Sequence, residues 1–348
     1  MELFDVRVVV AALQHINQFF SFKHIENIVT MSHKPSQKQD ELISVIIPAF
    51  NEEEFIDGTI TALQRYAPEK AEIIIIDNGS TDTTVQIATS KGVKVIQQME
   101  GTIASLRNRG VNESSGNIFI FIDADVTVTE AWGQELKHKV ITNLIKNPIQ
   151  VTGSRCLPPD DGKPLNTHWF SLLTEYEAPY INSGHLITSK ELFEQVGGFS
   201  EQLKTAEDYD FCMKAKACNA DLVNNPKLPV YHFGYPEKIQ DFIARERWHG
   251  REDFETLQSF SESKVGIAAA GNLLLAIIAL LTSLVILNFA FIGIYFLLML
   301  LICVALTAYK FERKKVRSFP VTAGIFYLYL TGRSLALIDR LRSLTTQK

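Results

Sequence analysis

An α/β domain built on a mostly parallel sheet, followed by a membrane-spanning helical hairpin, is the fold class the sequence predicts. Three observations carry it. Short β-branched runs alternate with helices of about 12 residues between Leu42 and Asn117, the rhythm of βαβ units. Carboxylates appear where those runs end, the place where ligands sit in an open α/β sheet. Two apolar runs of bilayer length lie in the last third of the chain.

In order, Ile43–Ile47 reads as a buried strand ended by Pro48, Ala49, Phe50 and Asn51. Glu52, Glu53 and Glu54 then open a helix to about Tyr66, with carboxylates at the positive end of its dipole. Ala71–Ile76 is the second strand. Gly79 permits the turn after it, and Ser80, Thr81 or Asp82 caps a helix through Ser90. Val93–Gln97 is a third strand, Gly101–Glu113 a helix, and the stretch Ile118–Val126 holds the central strand, five apolar residues with Asp123 and Asp125 where it leaves the sheet. Further on come a strand at Ile149–Ser154 and a loop at Arg155–Leu165. Asn166–Tyr180 follows with His168, Trp169, Tyr176 and Tyr180, either a core face or a stacking platform for an acceptor. Ile181–His185 is a short polar loop near the site, Ser189 starts a helix ended by Gly197 and Gly198, and Glu207–Ala217 is a helix with Asn219 as its left-handed cap. A last soluble helix, Pro236 to about Leu257, spreads Arg245, Arg247, His249 and Arg251 over more than one face.

Asn51 and Glu52, Asp77, and Asp123 with Asp125 each follow a strand, so three strands deliver polar groups to one crevice suited to a nucleotide. The first strand is followed neither by Gly-x-x-x-x-Gly-Lys-Ser/Thr nor by Gly-x-Gly-x-x-Gly, which disfavours P-loop hydrolysis and dinucleotide redox chemistry. Phosphate charge is then met by a metal and by side chains. Asp-x-Asp offers hard oxygen ligands to a divalent cation that holds a diphosphate, or else it is a solvated turn. Arg107 and Arg109 either meet phosphate or form a solvated helix face. His232 is either a further metal or phosphate ligand or a structural histidine. A net charge of −5 supplies no basic field for nucleic acid. The cysteines, Cys156, Cys212, Cys218 and Cys303, lack a Cys-x-x-Cys pair and read as reduced thiols in a cytosol-facing protein, with no structural zinc.

Several motifs carry a resemblance. Ser44-Val-Ile-Ile-Pro-Ala-Phe-Asn-Glu-Glu, Ile76-Asp-Asn-Gly-Ser-Thr-Asp-Thr-Thr, Arg107-Asn-Arg-Gly, Phe121-Ile-Asp-Ala-Asp, Val196-Gly-Gly-Phe and Ala206-Glu-Asp-Tyr-Asp-Phe-Cys occur in that order. Together they resemble glycosyltransferase family 2 from about Leu42 to Glu255. The resemblance implies the Rossmann-like GT-A fold, a nucleotide-sugar donor (a UDP- or GDP-sugar), a divalent metal (Mg²⁺ or Mn²⁺) and inversion at the anomeric carbon. It implies that Pro48, Ala49, Asn51, Glu52, Asp77, Arg107, Asp123 and Ala124 bind the donor. Asp125 is then the metal ligand, with Asp123 and His232 as further candidates. Glu207 and Asp208 are the acidic pair, Asp208 being the general base. Arg247-Trp248 is similar to the Gln-x-x-Arg-Trp motif of processive synthases and is expected at the diphosphate or acceptor. The Gln position, however, is Ala244, which argues against processive synthesis. Asn78 stands where the family often has Asp, so one nucleotide contact loses its charge.

Gly266–Leu287 and Phe289–Tyr309 are each long enough to span a bilayer and form a tight hairpin. Lys310, Arg313, Lys314, Lys315 and Arg317 follow, a cytoplasmic cluster by the positive-inside rule. An even number of spans then returns the chain to the side of the catalytic domain. Phe319–Ile338, broken by Arg333, reads as an interfacial helix, with a third span as the alternative. Val6–Phe22 is apolar but lacks the basic region, continuous apolar region and cleavage site of a signal peptide. The expected organisation is an N-terminal extension and linker (1–41), a catalytic domain (42–260), two spans (265–309) and a basic segment with the interfacial helix (310–348). The expected protein is a metal-assisted inverting transferase at the cytoplasmic face of the inner membrane. It makes envelope polysaccharide or glycolipid on a lipid-linked acceptor such as a polyprenyl phosphate. A nucleotidyltransferase would carry a Gly-rich basic loop where Asn51-Glu-Glu-Glu stands, and a non-catalytic scaffold has no need of Asp123, Asp125 and Asp208 together.

Overall fold

The computed structural model describes residues 42–175, 178–203 and 205–346. The N-terminal extension and Tyr176 lie outside them. The first half delivers β1 (Ile43–Ala49), α1 (Ile56–Tyr66), β2 (Glu72–Asp77), α2 (Thr84–Ser90), β3 (Lys94–Gln97), α3 (Ile103–Asn112), β4 (Ile118–Ile122) and β5 (Val126–Val128). A helix follows, α4 (Glu130–Glu135) continuing through a π turn into α5 (Ile141–Lys146). Then come β6 (Gln150–Gly153), β7 (Cys156–Leu157), α6 (Ser171–Thr174), β8 (His185–Ser189), α7 (Lys190–Val196), α8 (Glu207–Ala217), β9 (Asp221–Asn224), β10 (Val230–His232) and α9 (Ile239–His249).

Seven strands form the main sheet in the order β3-β2-β1-β4-β8-β6-β9, and β5-β10-β7 form a small second sheet. β1 pairs in parallel with β2 and β4, while β8 runs antiparallel to both of its neighbours. The period-2 alternation explains why β1 and β4 read as unbroken apolar runs. Val45, Ile47, Ile120 and Ile122 face α1 and Trp132 in one core layer. Ile46, Phe119 and Phe121 face Phe193, Phe199 and Phe211 in the other.

Two helix boundaries differ from expectation. Glu52, Glu53 and Glu54 precede α1, because their groups tie the β1–α1 loop to the β2–α2 loop. The Glu53 carboxylate accepts from Thr83 N–H and Oγ1, and Glu52 N–H donates to Thr84 Oγ1. The helix expected from Pro236 to about Leu257 is only α9. Beyond Gly250 the chain makes a 3₁₀ turn (Glu252–Phe254) and a short helix, α10 (Leu257–Glu262).

Three helices long and apolar enough to cross a membrane complete the chain: α11 (Lys264–Ile286), α12 (Ala290–Lys310) and α13 (Phe319–Thr346). Their surfaces differ. The most apolar windows of α11 and α12 are only 22% and 17% buried, leaving rows of Leu and Ile exposed, whereas that of α13 is 44% buried. α13 packs on α9 as well as on the hairpin. Trp169, placed by sequence on a core face or an acceptor platform, is core. It packs edge-on to Phe242, Phe311 and Phe326. Lys310 Nζ lies 5.3 Å from the centre of the Trp169 ring and is ringed further by Phe311, Phe326 and Tyr329, a desolvated cation–π contact that locks the hairpin to the domain.

Candidate active site

The crevice forms where β1, β2 and β4 end. Asn51 adopts the left-handed region (φ 56°), and its amide oxygen accepts from Thr81 N–H at 2.8 Å. The fully buried Asp77 carboxylate accepts from Gly79 and Ser80 N–H. Both residues, expected at the nucleotide, thus shape the loops of the crevice. A pocket of about 250 Å³ lies between these loops, lined by Pro48, Ala49, Glu52, Asn78, Asp123, Ala124 and Asp125 among others. The Asn78 amide oxygen is buried without a partner among the described residues, an unsatisfied acceptor in this wall.

Arg107 resolves neither as a solvated face nor as a free phosphate ligand. It is 1% exposed, donating to Asp123 Oδ1 and to Glu207 Oε1, each at 2.7 Å. Arg109 instead pairs with Glu113 at the surface. The buried guanidinium offsets the desolvation cost of two carboxylates that lie 84 residues apart in the chain (207 − 123). Glu207 also accepts from Ser183 Oγ. Its neighbour Asp208 accepts from Asn182 Nδ2 at 3.0 Å and from Ser183 N–H. Burial, then the adjacent Glu207 charge, pushes the Asp208 carboxyl up to about 6, against the pull of the Tyr209 and Ser183 N–H groups and Arg107. Loop 182–184 therefore connects the acidic pair to the Asp-x-Asp turn, since Asp123 N–H donates to the Gly184 carbonyl. A Cβ on Gly184 would lie 2.7 Å from Asp123 Oδ2. His185, read from sequence as part of this loop, begins β8 instead. There it is fully buried and accepts from Trp132 Nε1.

On the other side of Asp123, Asp125 Oδ2 stands 3.4 Å from His232 Nε2. The imidazole stacks on Tyr235, and its Nδ1 is buried without a partner among the described residues. Glu52 is pushed up to about 8, first by burial and then by Asp125, Asp123 and Asp82. Acidic groups are thus crowded here, with Arg107 bonded to Asp123 alone among them, an arrangement that a divalent ion relieves. Among the described residues no group of three or more His, Cys, Asp and Glu is gathered that could hold a metal. The donor set fits a hard cation carried on one or two carboxylates and completed by substrate phosphates and water.

A second cavity, about 400 Å³, meets the first pocket at Ile103 and Asp123. Its wall includes Arg155, Tyr180, Asn182, Arg245, Trp248 and His249. Of the pair expected at the diphosphate or acceptor, only Trp248 lines it. Arg247 makes a bidentate pair with Asp339 of α13, both contacts 2.5 Å. Arg155, to which sequence reasoning gave no role, follows β6 and carries no motif, whereas Asn182 lies in the loop that the sequence reading put near the site.

The region 44–188 matches the family described as Glycosyl transferase family 2. An uncharacterised glycosyltransferase of Rickettsia felis is 28% identical over 252 residues, covering 68% of this chain and 39% of that protein. EpsJ of Bacillus subtilis, an uncharacterised glycosyltransferase, is 28% identical over 197 residues, 50% of this chain and 56% of its own. The chain thus spans about half or less of the length of these relatives. The fold is similar to that of a mannosyltransferase from Pyrobaculum calidifontis solved with GDP-Man and Mn²⁺. The TM-score is 0.53 at 15% identity, over 85% of this chain and 87% of that one.

Proposed function

The chain belongs to glycosyl transferase family 2 through residues 44–188, and on that premise we propose that it moves one sugar from a nucleotide-diphosphate sugar to a hydroxyl of a lipid-linked acceptor, with inversion. The observation that carries this reading is the junction of two pockets at Asp123, with Asp208 held nearby by Asn182 and Ser183. The 250 Å³ pocket takes the nucleotide end, and the 400 Å³ cavity takes the acceptor. Asp208 accepts the hydroxyl proton as the acceptor oxygen bonds to the anomeric carbon. The bond from that carbon to the phosphate oxygen breaks on the opposite side, and the nucleoside diphosphate leaves. A carboxyl tuned to about 6 is ionised at neutral pH yet basic enough to take that proton. Arg107 holds Asp123 and Glu207 in place through its two hydrogen bonds while the sugar passes between the pockets.

A divalent cation, Mg²⁺ or Mn²⁺, would be held by Asp125 with Asp123 and His232 at hand, and it would supply charge stabilisation on the leaving diphosphate. The lipid-linked acceptor is supported by the continuity of the cavity wall with α9 and of α9 with the apolar helices. The basic run after α12 supports a catalytic domain on the cytoplasmic side of the inner membrane, with the pathway serving envelope polysaccharide or glycolipid synthesis. α13, charged along the side that meets α9, is read as an interfacial helix rather than a third span.

The test is transfer from radiolabelled UDP- and GDP-sugars in membranes, with the product partitioned between organic and aqueous phases. The reading predicts label in the lipid fraction, in the inverted anomeric form. Retained transfer to a water-soluble acceptor after delipidation would contradict the lipid-linked acceptor.

A further inference from the structure

The acceptor cavity takes part of its wall from α9, and α13 lies against the back of that helix. The approach is close. A Cβ on Gly332 of α13 would lie 2.7 Å from Glu246 Cβ and 2.9 Å from the Ile243 carbonyl, and one on Gly250 would lie 2.8 Å from Ala336 Cβ. Into this seam the chain places a carboxylate that is only 2% exposed, Glu246. Arg245 Nη1 donates to it at 2.6 Å and Arg333 Nη2 at 3.2 Å. The other arm of Arg333 donates to Asp253 at 3.0 Å, and its guanidinium lies 5.1 Å from the Tyr329 ring centre. A buried carboxylate is tolerated only while it is paired, so Glu246 is held between the two arginines. It joins a residue of the apolar C-terminal helix to the arginine that faces the cavity.

We infer that Arg333 is a positioning residue for the acceptor half of the site: by holding Glu246 it fixes Arg245, and with it the turn of α9 that brings Trp248 and His249 into the cavity. The inference rests on reading that cavity as the acceptor's place. The remaining clamps agree with it, since Arg247 is forked onto Asp339 and Arg340 donates to the Glu255 carbonyl. His249 shows that the arginines' field reaches the wall, its imidazole being pushed down to about 3 first by burial and then by Arg245 and Arg333. α13 is thus a strut that ties the geometry of one substrate cavity to the membrane-associated part of the chain.

The chain supplies its own probe. Of its three tryptophans, Trp132 and Trp169 are at most 1% exposed, and Trp248 is 44% exposed. Acrylamide quenching of the full-length protein in detergent therefore reads Trp248. Arg333→Gln leaves Glu246 short of one buried partner, and the quenching constant should rise about twofold as Trp248 moves from 44% toward full exposure. Arg333→Lys, which keeps the charge but loses the fork, should fall between the two. Gly332→Ala keeps every charge and suits a helix, yet it forces the two helices apart, so it should also raise quenching. Stabilisation by UDP or GDP with Mn²⁺ should be the same in all variants. Wild-type quenching in folded Arg333→Gln or Gly332→Ala protein, with or without a lower melting temperature, would overturn the inference. If Arg333→Gln does not accumulate, Gly332→Ala decides. A wild-type protein that no nucleotide stabilises would undermine the glycosyltransferase reading while leaving the quenching comparison intact.

Discussion

The pocket assigned to the donor is assembled from residues between Pro48 and Asp125, whereas most of the neighbouring cavity wall comes from residues 154–182 and 224–249. The first is a product of local chemistry. Three parallel strands end at one edge, and short loops bonded to one another set the side chains. The second depends on contacts across long stretches of sequence, namely Asn182 on Asp208, Arg107 on Glu207, and α13 on α9. A sheet edge is rigid and needs no outside support. A wall made from one helix is only as well placed as the helix behind it. The two halves should therefore respond differently to substitution.

The sharpest separation is expected from Asp208→Asn. It removes the base but no group that lines the nucleotide pocket, so transfer should fall by about 10²–10⁴-fold with nucleotide-induced stabilisation unchanged. Loss of both would place Asp208 in the donor half and erase the distinction. Arg107 belongs to both halves, and Arg107→Met strips two carboxylates of their shared partner. A loss of about 3–5 kcal/mol is expected, read as a lower melting temperature together with loss of transfer. A small change would mean that Asp123 and Glu207 find water instead. A milder probe is pH. A base must be unprotonated, and Asp208 titrates near 6. Accordingly, kcat/KM should fall about tenfold per unit below that value and level off between it and about 8, where Glu52 titrates. A profile that breaks near the ordinary carboxylate value of about 4 would put the base elsewhere. The smallest effect is expected from Trp248→Ala, about 1–2 kcal/mol of acceptor affinity, read as a higher acceptor KM at constant donor KM.

The same division decides what was legible in the sequence. The places of Asp123, Asp125 and Asp208 in the fold were legible because each sits in a local motif at the end of a strand or the start of a helix. The boundaries of α8 were likewise set by residues within it and beside it. Arg107 was misread because its carboxylate partner Glu207 is 100 residues away. Arg247 was preferred over Arg245 by motif alone, yet two residues on a helix differ by about 200° of rotation. Which of them faces the cavity is settled by Asp339, 92 residues downstream. The glutamates before α1 look like dipole partners until the facing loop, with its Thr83 and Thr84 hydroxyls, claims them. The apolar length of α13 was plain, but its burial against α9 was not, because Arg333 and Asp339 show their purpose only beside Glu246 and Arg247.

The measurement that bears most directly on the account is the thermal stability of the detergent-solubilised protein with UDP, GDP or CMP, with and without Mn²⁺, in wild type and Asp125→Asn. A ligand bound only by the native state raises stability by RT ln(1 + [L]/Kd), about 2.7 kcal/mol at a concentration of 100 Kd. The account predicts a metal-dependent shift with one of these nucleotides, largely lost in Asp125→Asn. No shift with any nucleotide in folded wild-type protein would contradict the assignment of the crevice to a nucleotide-sugar donor.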